Sequence, residues 1–413
     1  MTHIFAMDIV TDMRSAVADA KAALRARAAP IIDRLLSERS ERLRTTLLLD
    51  LYTRQLRETG IAVARATLHL PTLHPQISAR SLVWELEAGG AVELDREHGI
   101  RNTALFLRSP LKSIFEGGPP IRRRLNDPNG PDDYPILADL RDRNFTDYLV
   151  RDLPFSVGKR NGFSVASNHP DGFSDDDLAL IEATLPAFGA VLELRQIQQT
   201  ARALLDTYVG RGTGQRVLNG AIKRGDGEVI HAVLWYCDLR NFTGLSGSLP
   251  LDGVIELLNA YHDCMAGPVE RRGGEILKFI GDAMLAIFPC RSEPGEACIA
   301  ADSACAAAEE AVAAVTAANA ARATAGLNAI RCGIAVHIGD VMYGNIGSSS
   351  RLDFTVIGPA VNLVSRLEGL SAQLGSGIVV SSDIARLSRR GFRSLGAHAL
   401  KGIPGRQEAF TLA

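Results

Sequence analysis

The sequence predicts a chain of α/β (α+β) class in which two folded domains are joined by a helix. Strand-like and helical segments alternate over residues 228–413, a pattern typical of helices packed on a sheet. Short apolar runs alternate with turns rich in Gly, Pro and Asn over residues 61–175, which indicates a mixed α/β domain. Between them, apolar residues repeat every three or four positions over residues 178–208, as along one face of a long helix.

The chain before this mixed domain, residues 1–60, is expected to be helical. It is rich in Ala, Leu and Arg from residue 11 onward, Pro30 predicts a break, and Gly60 marks the end. Within the mixed domain, Arg122–Arg124 is either a solvated loop or a binding patch, and its short length favours the loop. Four further side chains either line a ligand pocket or pack in the core: His69, His74, Trp84 and His98.

The linking segment, residues 176–227, is expected to begin as a helix capped by Ser174, with Asp177 near the positive end of the helix dipole. Its apolar spacing is that of a coiled-coil seam with one phase slip: positions 178, 181, 185, 188 and 192, then 194, 197, 201, 204 and 208. The seam either pairs with a second chain in a parallel dimer or packs on its own domain, and its place between two domains favours the dimer. We interpret Gly210–Gly214 as a turn, because these glycines follow a helix and not a strand.

Residues 228–413 show the clearest alternation. The predicted strands are 229–237, 275–280, 283–288, 330–337 and 341–346, with another starting at 378, and the predicted helices are 251–271, 296–325 and 359–374. Ile338-Gly339-Asp340 is expected to separate two of these strands, and His337 is expected to be a strand residue and not a catalytic base.

Bulk composition excludes several classes of partner. The 45 Lys and Arg residues nearly balance the 47 Asp and Glu residues, so neither a nucleic-acid partner nor a membrane partner is expected. No uncharged apolar run approaches the ~20 residues that span a bilayer, and the first residues do not resemble a secretory signal. The six cysteines lack paired metal-ligand spacing. We therefore expect a cytoplasmic protein with reduced thiols.

Two aspartates, Asp238 and Asp282, adjoin strand-like apolar runs and would lie at the edge of a sheet. Carboxylates together with water and substrate phosphates are the ligands that Mg²⁺ prefers. Two carboxylates held close together suggest a paired-metal site, which can hold both the attacking and the leaving oxygen in phosphoryl chemistry.

Four motifs follow one another at compatible spacing: DLRNFT (238–243), GGEILKFIGD (273–282), GIAVHIGDVMYGNIG (333–347) and VIGPAVNLVSRLE (356–368). In this order they resemble the catalytic domain of the class III nucleotidyl cyclases, which include adenylyl and guanylyl cyclases. The resemblance covers residues 228–413 and implies a ferredoxin-like catalytic fold. It also implies that Asp238 and Asp282, with the backbone carbonyl of Leu239, hold two Mg²⁺ or Mn²⁺ ions per active site. Backbone amides around Asn241–Thr243, including those of Phe242 and Thr243, would hold substrate phosphates.

The resemblance also implies which residues read the base. Lys278 stands where adenylyl cyclases carry the lysine that recognises adenine, because an ammonium donates to adenine N1 but cannot accept from guanine. Thr355 holds the second base-reading position, where many adenylyl cyclases have Asp, and is similar to a subgroup that responds to bicarbonate. Its hydroxyl accepts from the adenine amino group but can also donate. A guanylyl or dual-specificity cyclase is therefore the alternative.

The last motif implies the groups that act on the triphosphate. Asn362 and Arg366 are four residues apart and share one helix face. By resemblance, Asn362 orients the ribose and Arg366 stabilises charge on the α-phosphate. Glu368 is a poor partner for Arg366, because residues two apart on a helix face differently. Lys401 resembles the family's pyrophosphate-binding lysine.

Active sites of this family are built across a dimer, which implies a homodimer. Asp238 and Asp282 would come from one chain, and four residues would come from the other: Lys278, Thr355, Asn362 and Arg366. The run GFSDDDLALIE (172–182) resembles the end of a GAF-type sensor domain, which implies an unidentified small-molecule ligand. The expected protein is a bacterial adenylyl cyclase that converts ATP to 3′,5′-cyclic AMP and pyrophosphate under control of that domain. A catalytically silent nucleotide-binding sensor is the alternative from another class.

Overall fold

The structure is a computed structural model that describes residues 2–37, 43–156, 160–290 and 295–413, with side chains from residue 17 onward. The chain divides into two compact units, Met1–Leu204 and Leu205–Ala413. Each unit has its own sheet and its own hydrophobic core. In the part of the chain that is described, no helix combines the length and apolar character needed to cross a bilayer.

Unit 1, Met1–Leu204, contains a six-stranded antiparallel sheet in the order β3-β2-β1-β6-β5-β4. Its strands are β1 (Arg65–Pro71), β2 (Ile77–Glu85), β3 (Gly90–Glu97), β4 (Ile121–Arg124), β5 (Asp147–Leu153) and β6 (Asn161–Ser167). Its helices are α1 (Thr2–Leu35), α2 (Thr45–Glu58), α3 (Ala104–Leu107), α4 (Pro110–Phe115), α5 (Pro135–Asp142) and most of α6 (Asp175–Val209).

The predicted break at Pro30 is wrong, because α1 continues through it to Leu35. Proline removes one helix hydrogen bond. Here Ala28, Ile31 and Leu35 are buried in the core of unit 1, and their burial favours continuing the helix.

The arginine run is an edge strand, β4, and not a solvated loop. Arg122 and Arg124 pair with the fully buried carboxylate of Asp147, at 2.8 and 3.5 Å, and Arg123 pairs with Asp133 at 2.5 Å. Each guanidinium thus has an acidic partner inside unit 1, which argues against the binding patch as well. A buried carboxylate needs such partners, because burying an unpaired ion costs about several kcal/mol.

Helix α6 begins as predicted. The Ser174 hydroxyl accepts a hydrogen bond from the Asp177 amide at 3.2 Å, and the Asp177 carboxylate accepts one from the Ser174 amide at 2.9 Å. The structure divides the predicted seam at its phase slip. Before the slip, the apolar side chains at positions 181, 185, 188 and 192 are buried in the core of unit 1, so the dimer seam favoured by the sequence is wrong for this half. After the slip, the side chains at positions 194, 197, 201, 204 and 208 are exposed.

The turn predicted at Gly210–Gly214 is wrong, because α7 (Arg211–Leu218) begins there. Gly210, at φ +87°, ends α6, and an added Cβ would lie 2.8 Å from the Ile276 carbonyl. Gly212 allows α7 to approach Glu275, since a Cβ there would lie 2.3 Å from its carboxylate. These glycines therefore permit close packing of a helix.

Unit 2, Leu205–Ala413, has an eight-stranded sheet in the order β13-β14-β12-β10-β7-β9-β8, with β11 paired to β10. Its strands are β7 (Gly227–Leu239), β8 (Glu275–Ile280), β9 (Ala283–Pro289), β10 (Cys332–Gly347), β11 (Leu352–Ile357), β12 (Ile378–Ser381), β13 (Phe392–Ala399) and β14 (Arg406–Leu412). Besides α7, its helices are α8 (Phe242–Ser248), α9 (Leu251–Arg271), α10 (Glu296–Thr324), α11 (Pro359–Gln373) and α12 (Ser382–Leu387).

The strand break predicted at 338–340 is wrong, because β10 is one strand of 16 residues. It pairs with β7 without a register shift, from Cys332 opposite Leu239 to Gly344 opposite Gly227. Gly339 has a packing role, since an added Cβ would lie 2.8 Å from the Cβ of Ala360 in α11. As predicted, His337 is a buried strand residue.

Candidate active site

The two predicted metal-binding aspartates come together at one edge of the unit 2 sheet. Antiparallel pairing of β7 with β9 sets Cys237 opposite Met284, so Asp238 lies beside the turn that carries Asp282. Gly281 adopts φ +64° in that turn, a conformation that glycine reaches without strain. The carboxyl groups of Asp238 and Asp282 lie close enough for a hydrogen bond to form when one of them is protonated.

This contact changes the acidity of Asp238. Burial, the hydrogen bond to Asp282, and the charges of Asp282 and Glu368 raise the pKa of Asp238 to about 7. The Leu239 amide, which donates to Asp238 Oδ1 at 3.0 Å, acts in the opposite direction. Two ionised carboxylates in contact repel each other, and a divalent cation between them removes that repulsion. The donor set therefore fits the predicted metal ions.

Over the described ranges, His, Cys, Asp and Glu side chains form no group of three or more that could hold a metal ion by itself. Mg²⁺ keeps several waters and is often held by only one or two carboxylates together with substrate phosphates. The Leu239 carbonyl and a bound triphosphate would complete such a site.

A third acid, Glu368 on α11, acts electrostatically on both aspartates. Its side chain is buried and accepts a hydrogen bond from Ser371 Oγ at 3.3 Å, and Arg240 donates to the same Ser371 oxygen at 2.9 Å. Gly333 leaves the space for it, because an added Cβ would lie 2.2 Å from Glu368 Oε1. Burial raises the pKa of Glu368. The sequence assigned Glu368 no role. The one indication in the sequence was that Glu368, two residues after Arg366, lies on a different face of the helix.

The two predicted base-reading residues lie on strands that contact each other. Lys278 is in β8 and partly buried, and Thr355 is in β11 and 3% exposed. The Thr355 hydroxyl is buried and has no hydrogen-bond partner among the described residues. A buried polar group without a partner is rare, and a ligand is one way in which it can be satisfied.

Asn362 and Arg366 share one exposed face of α11, as their spacing predicts, while Val364 and Leu367 face the core. Within the described chain, neither side chain forms an ion pair or hydrogen bond with Asp238. Within one chain, Asp238 and Asp282 therefore lie together at one edge of the sheet, whereas Asn362 and Arg366 are exposed to solvent.

The remaining predicted residues lie in turns or at a helix start. Phe242 begins α8 and packs against the core, and Thr243 beside it is exposed. The preceding residue, Asn241, adopts φ +59°. Lys401 is exposed in the turn between β13 and β14.

The four histidine and tryptophan candidates of unit 1 lie in three different surroundings. His69 lines a cavity, whereas Trp84 is buried and its indole donates to Asp50 at 2.8 Å. His74 and His98 contact each other, through the His98 ring and the His74 carbonyl at 3.0 Å.

Residues 229–413 match the family model for the adenylate and guanylate cyclase catalytic domain. The adenylate cyclase of Anabaena cylindrica is 28% identical over 243 residues, which cover 57% of this chain and 47% of that protein. An uncharacterized protein of Mycobacterium tuberculosis is 30% identical over 199 residues, covering 48% of this chain and 34% of its own length. The chain thus spans about half or less of the curated relatives that it matches.

Solved structures of cyclases are also similar to part of the chain. The adenylyl cyclase CyaB from P. aeruginosa is 27% identical with a TM-score of 0.42, and covers 46% of this chain and 96% of its own. The guanylyl cyclase Cya2 is 29% identical with a TM-score of 0.40, and covers 45% of this chain and 93% of its own.

Proposed function

Residues 229–413 belong to the adenylate and guanylate cyclase catalytic domain family, the class III cyclases, and on that premise we propose that the chain is an adenylyl cyclase. It would convert ATP to 3′,5′-cyclic AMP and pyrophosphate. The observation that carries the proposal is the contact between the carboxyl groups of Asp238 and Asp282 at the edge of the sheet.

The chemistry assigned to these carboxylates is metal binding. Two Mg²⁺ or Mn²⁺ ions would supply activation of the 3′-hydroxyl and charge neutralisation of the leaving pyrophosphate when bound. Asp238, Asp282 and the Leu239 carbonyl would hold them. Backbone amides at Phe242 and Thr243 would contact the phosphates, and Lys401 would bind the pyrophosphate.

Selectivity for adenine would come from Lys278 and Thr355. The Lys278 ammonium donates to adenine N1, and the Thr355 hydroxyl accepts from the adenine amino group. The unsatisfied hydroxyl of Thr355 supports this role. Because a hydroxyl also donates, the same observation leaves a guanylyl or dual-specificity cyclase as the second candidate.

Asn362 would orient the ribose, and the planar guanidinium of Arg366 would stabilise charge on the α-phosphate. Both side chains are exposed on one face of α11. In a homodimer, these residues of one chain would complete the site whose carboxylates come from the other. Exposed apolar side chains beside the base-reading residues support such an interface: Phe279, Ile280 and Ile357 are 52%, 46% and 50% exposed.

Unit 1 would act as a GAF-like sensor domain that controls the cyclase through α6. The exposed part of the seam, from Leu194 to Tyr208, would pair with the same segment of a second chain as a parallel coiled coil. A change in this pairing would alter the angle between the two catalytic domains of the dimer.

The test is the production of cyclic AMP and cyclic GMP from ATP and GTP, with Mg²⁺ or Mn²⁺, by wild type and by Asp282→Ala. We expect cyclic AMP from wild type and a loss of at least about a hundredfold in the variant, since the site would lose a metal ligand. Asp252→Ala, at an exposed position in the first turn of α9, is the matched control and should keep activity. Equal background in wild type and Asp282→Ala would instead support a catalytically silent sensor.

A further inference from the structure

Unit 1 contains a cavity of about 510 Å³ on the face of its sheet that points away from the main core; we call it the sheet cavity. Alternate residues of a strand share one sheet face. The floor is accordingly built from polar side chains of neighbouring strands: Arg65, Thr67, His69, Ser81, Arg96 and Ser164. The residues between them, such as Ala66 and Leu68, belong to the core on the other face. A volume of this size is typical of a small-molecule site.

The cover of the sheet cavity is apolar. It comes from α3, α4 and α5, which contribute Leu105, Phe106, Phe115 and Ile136. The rings of Phe106 and Phe115 are 6.0 Å apart. Leu105 is 72% exposed, although it is a large apolar side chain. A molecule in the cavity would therefore meet polar groups on one side and apolar groups on the other.

The polar side of the sheet cavity is strongly positive. Four arginines line it, at positions 65, 96, 101 and 108, against a single acid, Asp139. Arg65 is offset by Glu85 at 3.2 Å, and Arg101 lies over the Phe115 ring at 5.0 Å. Arg96 has no acidic partner within 4 Å among the residues that the structure describes, and its side chain donates a 3.5 Å hydrogen bond to Ser81 Oγ.

The pKa of His69 is consistent with this positive potential. Burial, followed by the charges of Arg65 and Arg96, lowers the pKa of His69 to about 3. The ring is therefore neutral and contacts Ser81 Oγ through Nδ1 at 2.9 Å. Ser81 thus contacts both the neutral histidine and Arg96.

We propose that the sheet cavity binds a small organic anion, whose carboxylate or phosphate group lies at Arg96 and Ser81 and whose apolar body lies against Phe106 and Phe115. An anion would neutralise the unpaired guanidinium, and a planar guanidinium matches the oxygens of both acidic groups. A free inorganic ion is not expected to be the best ligand, because it would make no contact with the apolar cover. This inference deepens the proposed sensor role of unit 1.

The test is calorimetric titration of the full chain with three flexible probes: octanoate, octyl phosphate and the neutral octanamide. We expect saturable binding of one anion per chain, and at least about tenfold weaker binding of the amide, because hydrogen bonds to charged groups are the stronger ones. Comparing the two anions identifies which acidic group the site prefers. Since the readout is binding, it is independent of cyclase activity, and the two proposals fail separately.

Two variants test whether the anion binds in the sheet cavity. Arg96→Gln should weaken anion binding by at least about tenfold. Leu105→Asp, at an exposed position of the cover, should also weaken it through charge repulsion. Arg80→Gln is the matched control: it is on the same sheet, removes the same charge, and faces away from the cavity toward Glu93 and Asp95. Melting temperatures would verify folding. The inference is overturned if neither anion binds, if the amide binds equally well, or if Arg96→Gln and Leu105→Asp both bind like wild type.

Discussion

In the proposed cyclase, base selectivity depends on two residues, Lys278 and Thr355, that are not part of the carboxylate pair. Lys278 is only partly buried in β8, and no ion pair or hydrogen bond of its side chain occurs within the described chain. Its replacement should therefore alter the ligand contact more than the fold. Thr355 is buried, so its replacement would alter packing as well.

We predict that Lys278→Glu lowers the rate with ATP by at least about tenfold and raises the ratio of GTP to ATP turnover, because a carboxylate accepts from guanine but donates nothing to adenine N1. Rates with both nucleotides, measured side by side, test this. Lys278→Met is the control, since it removes the donor without adding an acceptor and should lower ATP turnover alone. An equal fall with both nucleotides in Lys278→Glu would assign the residue to the triphosphate.

Buried His337 gives unit 2 a pH-dependent stability. Its Nδ1 contacts Ser381 Oγ at 2.9 Å, and burial lowers its pKa to about 4. The unfolded chain, with a histidine pKa of about 6.5, binds this proton first as the pH falls. Stability from the neutral ring is therefore present above about pH 6.5 and lost toward pH 4, by up to about 3 kcal/mol.

We predict that wild type loses stability more steeply than His337→Gln between about pH 6.5 and pH 4, because glutamine does not titrate. Denaturant unfolding of both proteins across this range measures the difference. His69, which is also held neutral, is present in both proteins, so its contribution cancels. Parallel curves for the two proteins would show that His337 titrates normally when folded.

At the scale of elements, α6 changes its surroundings at the phase slip of its apolar pattern. Phe188 and Leu192 are buried in the core of unit 1, whereas Leu194 and Ile197 are exposed. Polar residues of the second half, Arg195, Gln196 and Gln199, hydrogen-bond to unit 1. Sequence spacing located the slip but did not show which half packs on unit 1, because an apolar stripe looks the same whether it faces its own domain or a second chain.

We predict that Ile197→Glu raises the dissociation constant of the dimer at least about tenfold, since it places a charge in the proposed seam and removes an apolar contact. Sedimentation of the full chain at several concentrations measures this. Gln198→Glu adds the same charge at the adjacent exposed position and should leave the constant unchanged. If both variants dimerise like wild type, residues 194–208 are not a coiled coil.

Glycine accounts for two of the wrong element predictions. Gly339 and Gly212 stand where a turn was expected, yet each lies inside an element and permits close packing against Ala360 or Glu275. Glycine permits both tight turns and close packing because it lacks a Cβ, and the sequence does not show which of the two applies. Strong periodicity was more reliable: α9, predicted as 251–271, has these bounds in the structure.

At the scale of the whole molecule, the sequence predicted the carboxylate contact because Asp238 and Asp282 belong to recognisable motifs on neighbouring strands. It did not predict Glu368, because the electrostatic interaction of Glu368 with Asp238 joins α11 to β7 across more than a hundred residues and leaves no local pattern. The completion of the site by Asn362 and Arg366 is a prediction for the dimer.

We predict that mixing the inactive variants Asp282→Ala and Arg366→Ala restores about a quarter of wild-type activity, because half the dimers would be mixed and each would hold one intact site. Cyclic AMP production after the subunits re-equilibrate measures this. A mixture of Asp282→Ala with Asp238→Ala should remain inactive, since both changes affect the same half of the site. No recovery in the first mixture would contradict shared sites.

The strand order of unit 2 also has a consequence for how the protein folds. Met284 pairs with Cys237 across 47 residues of chain, whereas Cys332 pairs with Leu239 across 93. Pairing between nearby segments is generally the faster, because less chain entropy is lost. Pulse-labelled hydrogen exchange during refolding should therefore show β8 and β9 protected before β10. During synthesis, Asp238 and Asp282 would then meet before Glu368 has left the ribosome.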